Sequence, residues 1–367
     1  MSCSNRRPGP NLPACQGDAM SAAASGATVP AVEEAVRRTF GAAAEASKPW
    51  KLAGGAVHDS WAVDATVNGA RHELVVRVSP GGRSDHEKTI REFKVLQAMW
   101  DRGVLVPQPF VAEESEATGE SYLVMSRVSG ESNPRKLTTD AGLGSARKNL
   151  VTELARQLAI IHTVMPGDVN APGMRGPEPG EDPLAYQRRQ VEADYHTFWL
   201  NPHPAVEWAF RWIDRKLERF NEPGRRACVI HGDLRVGNIM YDENGLTSIL
   251  DWEGVHVGEP EEELAWFCTR VWRFARPDLE AGGVASREEW IQAYEQASER
   301  SIDRDRFAAW EVLQNIRWAE ITMMQARAHL DGQNRSHELA AIGRRTAETE
   351  LEILRLTGVV ERVTNAG

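Results

Sequence analysis

The stretch from Cys228 to Asp251, CVIHGDLRVGNIMYDENGLTSILD, constrains this chain more than any other. Cys228, Val229 and Ile230 form a short apolar run that reads as a strand and delivers His231-Gly232-Asp233 into a loop. Asn238 follows five residues after Asp233. Ile239 to Tyr241 and Thr247 to Leu250 then read as two strands joined by the turn Asp242-Glu243-Asn244-Gly245. A hairpin that tight brings its outer ends together, so Asn238 and Asp251 become neighbours. An amide oxygen and a carboxylate are the hard donors that Mg²⁺ accepts when nucleotide phosphates complete its shell. Asp233 lies on the loop just before, where a carboxylate could take the proton of an attacking hydroxyl and hold it in line with a γ-phosphate. The plain alternative is an ordinary hairpin with polar ends. Five fixed positions at about 5 % usage each leave chance little room to produce the pattern.

The chain around this segment divides in character. Residues 1–28 are rich in Pro, Gly, Ser and Ala without periodicity and read as a disordered tail. Residues 29–127 begin with a short helix and continue as strands, with Gly54-Gly55 and Asn68-Gly69 as turns. One amphipathic helix interrupts them, with Ile90, Phe93, Leu96 and Met99 on one face and Gly103 as its stop. From residue 128 to 367 helices dominate, and the run KNLVTELARQLAIIHTV is their clearest example. Residues 165–183 hold too many Pro and Gly for a regular element and read as an insertion loop. The predicted architecture is therefore α+β, with a small β-rich lobe followed by a larger, mainly helical one.

HGDLRVGN followed by ILDWE resembles the catalytic and metal-binding motifs of the aminoglycoside phosphotransferase (choline kinase-like) family, and the spacing also agrees with the protein-kinase pattern. The ILDWE wording and the segment LAYQRRQVEADYHTFW look most like the branch of kinase domains fused to acyl-CoA dehydrogenases. The resemblance implies a two-lobed, protein-kinase-like fold over residues 30–355. It implies a small-molecule kinase that transfers the γ-phosphate of MgATP, or GTP, to a hydroxyl. Asp233 is the expected base, His231 and Arg235 stand beside it in the catalytic loop, and Asn238 and Asp251 are the expected Mg²⁺ ligands. Gly258-Glu259-Pro260 begins only seven positions after Asp251, too close to leave room for the peptide-holding segment of a protein kinase.

The nucleotide half rests on weaker marks. Gly54-Gly55 with Ser60 falls where a loop over the phosphates belongs, although a Gly pair between strands also serves simply as a turn. Arg77 stands where a Lys is usual, and a guanidinium can hold phosphate bidentately. Glu92 is its natural partner, or else a solvated residue of an amphipathic helix. Backbone groups from Met125 to Arg127 are the expected seat of the adenine edge. Downstream, Glu259 and Glu263 replace the family's Asp residues. The longer Glu263 implies that the catalytic loop shifts or that its tie is lost. Glu261 and Glu262 also suit a helix N-terminus electrostatically.

Charge and composition exclude several classes. Against 43 Lys and Arg stand 53 Asp and Glu, a net charge of −10 that disfavours a nucleic-acid partner. No run approaches the ~18 apolar residues of a membrane span, and four cysteines without metal or redox spacing suit a cytoplasmic protein. Nine of the twelve tryptophans lie between Trp199 and Trp318 and read as core, as does His162 on its apolar helix face. The expected partners are a nucleotide and a small alcohol. A non-catalytic nucleotide-binding regulatory module on the same fold is the alternative that Arg77, Glu259 and Glu263 keep open.

Overall fold

A computed structural model describes residues 29–52, 59–79, 83–115, 118–220, 225 and 227–360. Its smaller lobe is an antiparallel sheet ordered β1-β3-β4-β6-β5, with β2 on the β3 edge. The strands are β1 (Glu45–Ala46), β2 (Trp50–Lys51), β3 (Asp59–Val67), β4 (Ala70–Ser79), β5 (Pro109–Glu114) and β6 (Ser121–Ser126). Asn68 and Gly69 turn β3 into β4 with φ of 52° and 80°, the pair of positive angles that a two-residue hairpin turn requires. Gly54 and Gly55 lie outside the described residues.

Helix α1 (Val29–Phe40) covers one face of this sheet, where Val32, Ala35 and Val36 pack with Val63, Leu74, Val76 and Val124. Helix α2 (Arg83–Trp100) runs between β4 and β5, and its Val95, Leu96 and Met99 join the core of the larger lobe together with Leu123 of the sheet. The two lobes therefore share buried apolar surface along α2, at roughly 25 cal/mol per Å² removed from water.

The larger lobe continues with α3 (Pro134–Thr139), α4 (Gly144–Ile161), α5 (Pro183–Phe198) and α6 (Pro204–Leu217). Next comes a small β unit: β7 (Cys228–Ile230), β8 (Ile239–Tyr241), β9 (Leu246–Ile249) and β10 (His256–Gly258). β8 pairs with β9 as the expected hairpin, and β10 pairs with β7. The chain closes with α7 (Pro260–Cys268), α8 (Arg287–Ser298), α9 (Arg304–Leu330), α10 (His337–Gly343) and α11 (Thr346–Leu356). No described helix is long and apolar enough to cross a membrane.

Helix α9 is 27 residues long and starts at Asp303, whose carboxylate accepts from the backbone N–H of Asp305 and Arg306. Its Arg306 and Trp310 reach the wholly buried Glu259, which also accepts from Arg225 Nε at 2.6 Å. Arg306 in turn meets Asp182, the N-cap of α5. One carboxylate thus fastens α9 to the start of α7. Glu261 and Glu262, read from sequence as suited to the helix N-terminus, are buried against Arg225 and His256 as well.

Loop 165–183, read as a plain insertion, is fastened on both sides. Lys94 Nζ of α2 donates to Asn170 O at 2.7 Å, and Val257 N of β10 donates to Arg175 O at 2.8 Å. Removing Arg306 leaves a buried carboxylate short of countercharge. Arg306→Ala should cost about 3–5 kcal/mol in urea unfolding, and a change within about 0.5 kcal/mol would refute the fastening role.

Candidate active site

The hairpin does what its turn dictates. Ile239 pairs with Ile249, and Leu250 N donates to Asn238 O at 2.8 Å, so Asn238 lies one residue from Asp251 across the ladder. Asp251, two residues beyond β9, lies in the left-handed region, φ 64°, uncommon for a residue with a side chain. Burial first, and then Glu253, push the Asp251 carboxyl above its usual range, with Arg77 and His231 pulling against them. Asn238 donates through Nδ2 to Asp233 O (2.9 Å) and Asp233 Oδ2 (2.8 Å), which leaves its Oδ1 as the acceptor for another group. Two hard oxygen donors at one point fit Mg²⁺ that takes the rest of its shell from phosphate and water.

Asp233 is held from every side. Trp266 Nε1 donates to Oδ1 at 2.9 Å, while Asn238 and Arg235 Nε (3.3 Å) donate to Oδ2. Arg235 lies over the Trp272 ring at 5.0 Å. Trp266 was indistinguishable from core in the sequence; its place in the ELAW run three residues after Glu263 was the available signal.

His231 has both ring nitrogens on backbone. Nε2 donates to Leu250 O at 2.8 Å and Nδ1 accepts from Asp233 N at 3.2 Å, so these partners assign the Nε2–H tautomer. With its ring 4.6 Å from that of Trp252, it stitches the loop to the segment that carries Asp251. Neither nitrogen is open to a substrate. That makes it a positioning residue.

Of the two outcomes expected at Glu263, a shifted loop or a lost tie, the loss does not occur: the tie is made. Glu263 Oε1 accepts from Gly232 N at 2.9 Å; its Oε2 accepts from His231 N and from His162 Nε2, both at 3.1 Å. Burial would raise this carboxyl, yet the bond from His162, with His231 and its backbone N–H, outweighs it and holds Glu263 below the usual range. His162 is the satisfied core histidine expected, with Nδ1 2.8 Å from the Tyr294 hydroxyl. Gly232 must be glycine here: its φ is +81°, and a Cβ would stand 2.1 Å from Gly254 O.

In the small lobe Arg77 and Glu92 form a buried ion pair, so Glu92 is a partner and not a solvated residue. Desolvation lowers the Arg77 pKa, and Asp251 and Glu253 oppose it. Ser60 lies opposite Arg77 in the β3–β4 register. Met125 is half-buried on β6. The Arg127 side chain turns elsewhere, to Asp64 and Glu73 at 2.9 Å each and over the Trp50 ring at 5.0 Å. Its N–H donates to Glu73 O, so neither group is available to an adenine edge.

Beside Gly254 and His256 opens a cavity of about 110 Å³ that also reaches Arg175, Asp194, Arg317 and Glu320. Arg317 Nη2 donates to Gly232 O at 3.0 Å and its guanidinium lies 4.4 Å from the Trp266 ring, so the cavity abuts the loop that holds Asp233. Glu320 is only 7 % exposed, and burial followed by the nearby Asp194 pushes its carboxyl up to about 7.

Two outcomes follow. Glu263→Ala strands three buried donors. It should cost at least about 3 kcal/mol and speed amide exchange at His231 and Gly232; native-like exchange there would contradict the clamp. The folded chain binds the Glu320 proton more tightly than the unfolded chain does. Stability should therefore fall as pH rises from about 4.5 to about 7, a loss that Glu320→Gln removes in pH-dependent urea melts.

The comparisons with known proteins agree with this fold. The profile of the phosphotransferase enzyme family matches residues 51–310. Acyl-CoA dehydrogenase family member 11 of Pongo abelii is 26 % identical over 297 residues, covering 76 % of this chain and 37 % of that protein, so the chain spans little more than a third of that relative's length. An aminoglycoside phosphotransferase-like protein of Ralstonia eutropha superposes with a TM-score of 0.72 at 21 % identity, covering 91 % of this chain and 99 % of that one. The spectinomycin phosphotransferase APH(9)-Ia, solved with ADP and spectinomycin, gives 0.58 at 13 % identity over 90 % and 98 % of the two chains. The α+β, kinase-like fold and the enzyme class expected from the sequence are both met. The chain belongs to the phosphotransferase enzyme family.

Proposed function

We propose that this phosphotransferase moves the γ-phosphoryl group of ATP, or GTP, onto a hydroxyl of a small molecule held in the cavity beside Gly254, His256 and Glu320. One observation carries the reading: a single loop and hairpin bring Asp233, Asn238 and Asp251 together, each side chain either fixed by hydrogen bonds or left with a free oxygen. Residues 29–127 would bind the nucleotide. Residues 128–367 would carry the catalytic loop and the acceptor.

In this reading Asp233 Oδ2 orients the acceptor hydroxyl and takes its proton. The new P–O bond forms as the bond between the γ-phosphorus and the bridging oxygen breaks, and the nucleoside diphosphate leaves with that electron pair. Bound Mg²⁺ would neutralise charge on the phosphates, and Asn238 Oδ1 with Asp251 would hold it. Arg77, aimed by Glu92, would meet the α and β phosphates. Trp266, His231 and Glu263 would keep Asp233 in place at no reorganisation cost during transfer. APH(9)-Ia, with ADP and spectinomycin in one complex, supports the pairing of nucleotide and small acceptor.

A panel of small alcohols with γ-labelled ATP and Mg²⁺ tests the reading. With an accepted alcohol, Asp233→Asn should lower kcat by about 10²–10⁴ while nucleotide affinity stays near native. Labelled product from Asp233→Asn at the native rate would remove Asp233 from the chemistry.

A further inference from the structure

A second cavity, of about 260 Å³, lies away from these residues, lined by Arg135, Arg270, Arg273, Phe274, Arg345 and Glu348. Four guanidinium groups around one hollow stand out in a chain whose net charge is −10. The carboxylates nearby only partly compensate. Arg270 stands 3.5 Å from Glu348 and 3.6 Å from Glu352, and Arg273 stands 3.2 Å from Glu352 and 3.6 Å from Glu311. Glu311 is drawn more closely to Arg287, at 2.6 Å. Arg345 meets Glu348 at 3.1 Å. Among the described residues Arg135 makes no side-chain ion pair or hydrogen bond, although a cation so placed is repelled by its neighbours.

Arg273 is the built part of the hollow. It is 5 % exposed, and its Nε and Nη2 both donate to Cys268 O, at 3.3 and 3.0 Å. The next residue, Phe274, has φ 43°, a left-handed backbone that a bulky side chain rarely adopts, and the residue, 42 % exposed, lines the cavity. The turn is pinned by Arg276 N donating to Arg273 O at 2.9 Å, so the strained conformation is retained and the aromatic ring stays beside the arginines. A cluster of guanidinium forks matches phosphate oxygens bidentately, and an exposed ring beside them suits a planar or apolar substituent.

We propose that this arginine-lined cavity binds an organic phosphate monoester, with the phosphate among Arg135, Arg270, Arg273 and Arg345 and the organic group against Phe274. Its lining includes none of the residues assigned to phosphoryl transfer. Trp272, which precedes Arg273, lies against Arg235 of the catalytic loop, so the two sites are neighbours through one indole ring.

Calorimetric titration of the full chain with phenyl phosphate, and separately with inorganic phosphate, tests this at constant ionic strength without nucleotide or Mg²⁺. Phenyl phosphate should bind more tightly than phosphate, and Phe274→Ala should erase that difference. Arg135→Glu, an exposed change that leaves the core intact, should weaken both ligands about tenfold or more. Arg345→Glu should do the same, while Arg77→Ala should leave both affinities unchanged. No binding to the native chain at millimolar ligand would overturn the proposal, as would equal affinity in native and Arg135→Glu chains. Loss of binding in Arg77→Ala alone would place the ligand at the transfer site and overturn it too.

Discussion

The buried carboxylate of Glu263 is the interaction on which the rest of the candidate site depends. It accepts from the consecutive backbone N–H groups of His231 and Gly232 and from His162 at the C-cap of α4, so one side chain sets the loop against the ends of two helices. A buried charge of this kind is tolerable only with its bonds made, and here all three donors are present. Its folded pKa is held down, so the contribution is full above the unfolded carboxylate pKa and fades as pH falls through the lower folded value. With the loop fixed, Gly232 can pass within contact distance of Gly254, and Asp233 comes to face Trp266 and Asn238.

A second buried carboxylate repeats the logic one turn earlier. Glu259 joins α7 to α9 through Arg306 and Trp310, and α9 also carries Arg317, which bonds the Gly232 carbonyl. Both positions hold Glu where the family usually has Asp, and at both the longer side chain is fully bonded. The substitutions therefore belong to one consistent packing of α7 against the loop. They do not mark a decayed site, which removes the main ground for reading the chain as a binding module without turnover.

The parts legible from sequence were those that short-range rules determine. The turn Asp242-Glu243-Asn244-Gly245 dictated the neighbourhood of Asn238 and Asp251, and apolar periodicity gave α2 and α4 nearly to their ends. The Arg77–Glu92 pair was half-legible, since a helix following a strand can present a Glu to it without any local sign that it does. What stayed hidden were contacts across long sequence separations. His162 and Glu263 are 101 residues apart, and Trp266 reaches back 33 to Asp233. Nothing local distinguishes that indole from eight neighbours that read as core. The partners of Arg127 were hidden for a related reason: Asp64 and Glu73, which take its side chain and N–H, lie across the sheet and far from it in sequence. Loop 165–183 lacks any periodicity to read, and only its bonds to α2 and β10 give it a place.

As proposed, one hairpin seats a magnesium nucleotide beside a pre-positioned carboxylate. The most direct test is thermal unfolding of the native chain and of Asp251→Ala with ATP, with GTP and with neither, each with and without Mg²⁺. About 2.7 kcal/mol of stabilisation is expected at a nucleotide concentration 100 times its Kd, dependent on Mg²⁺ and absent in Asp251→Ala. A native chain that no nucleotide stabilises at millimolar concentration, or an Asp251→Ala chain stabilised as fully as the native, would contradict it.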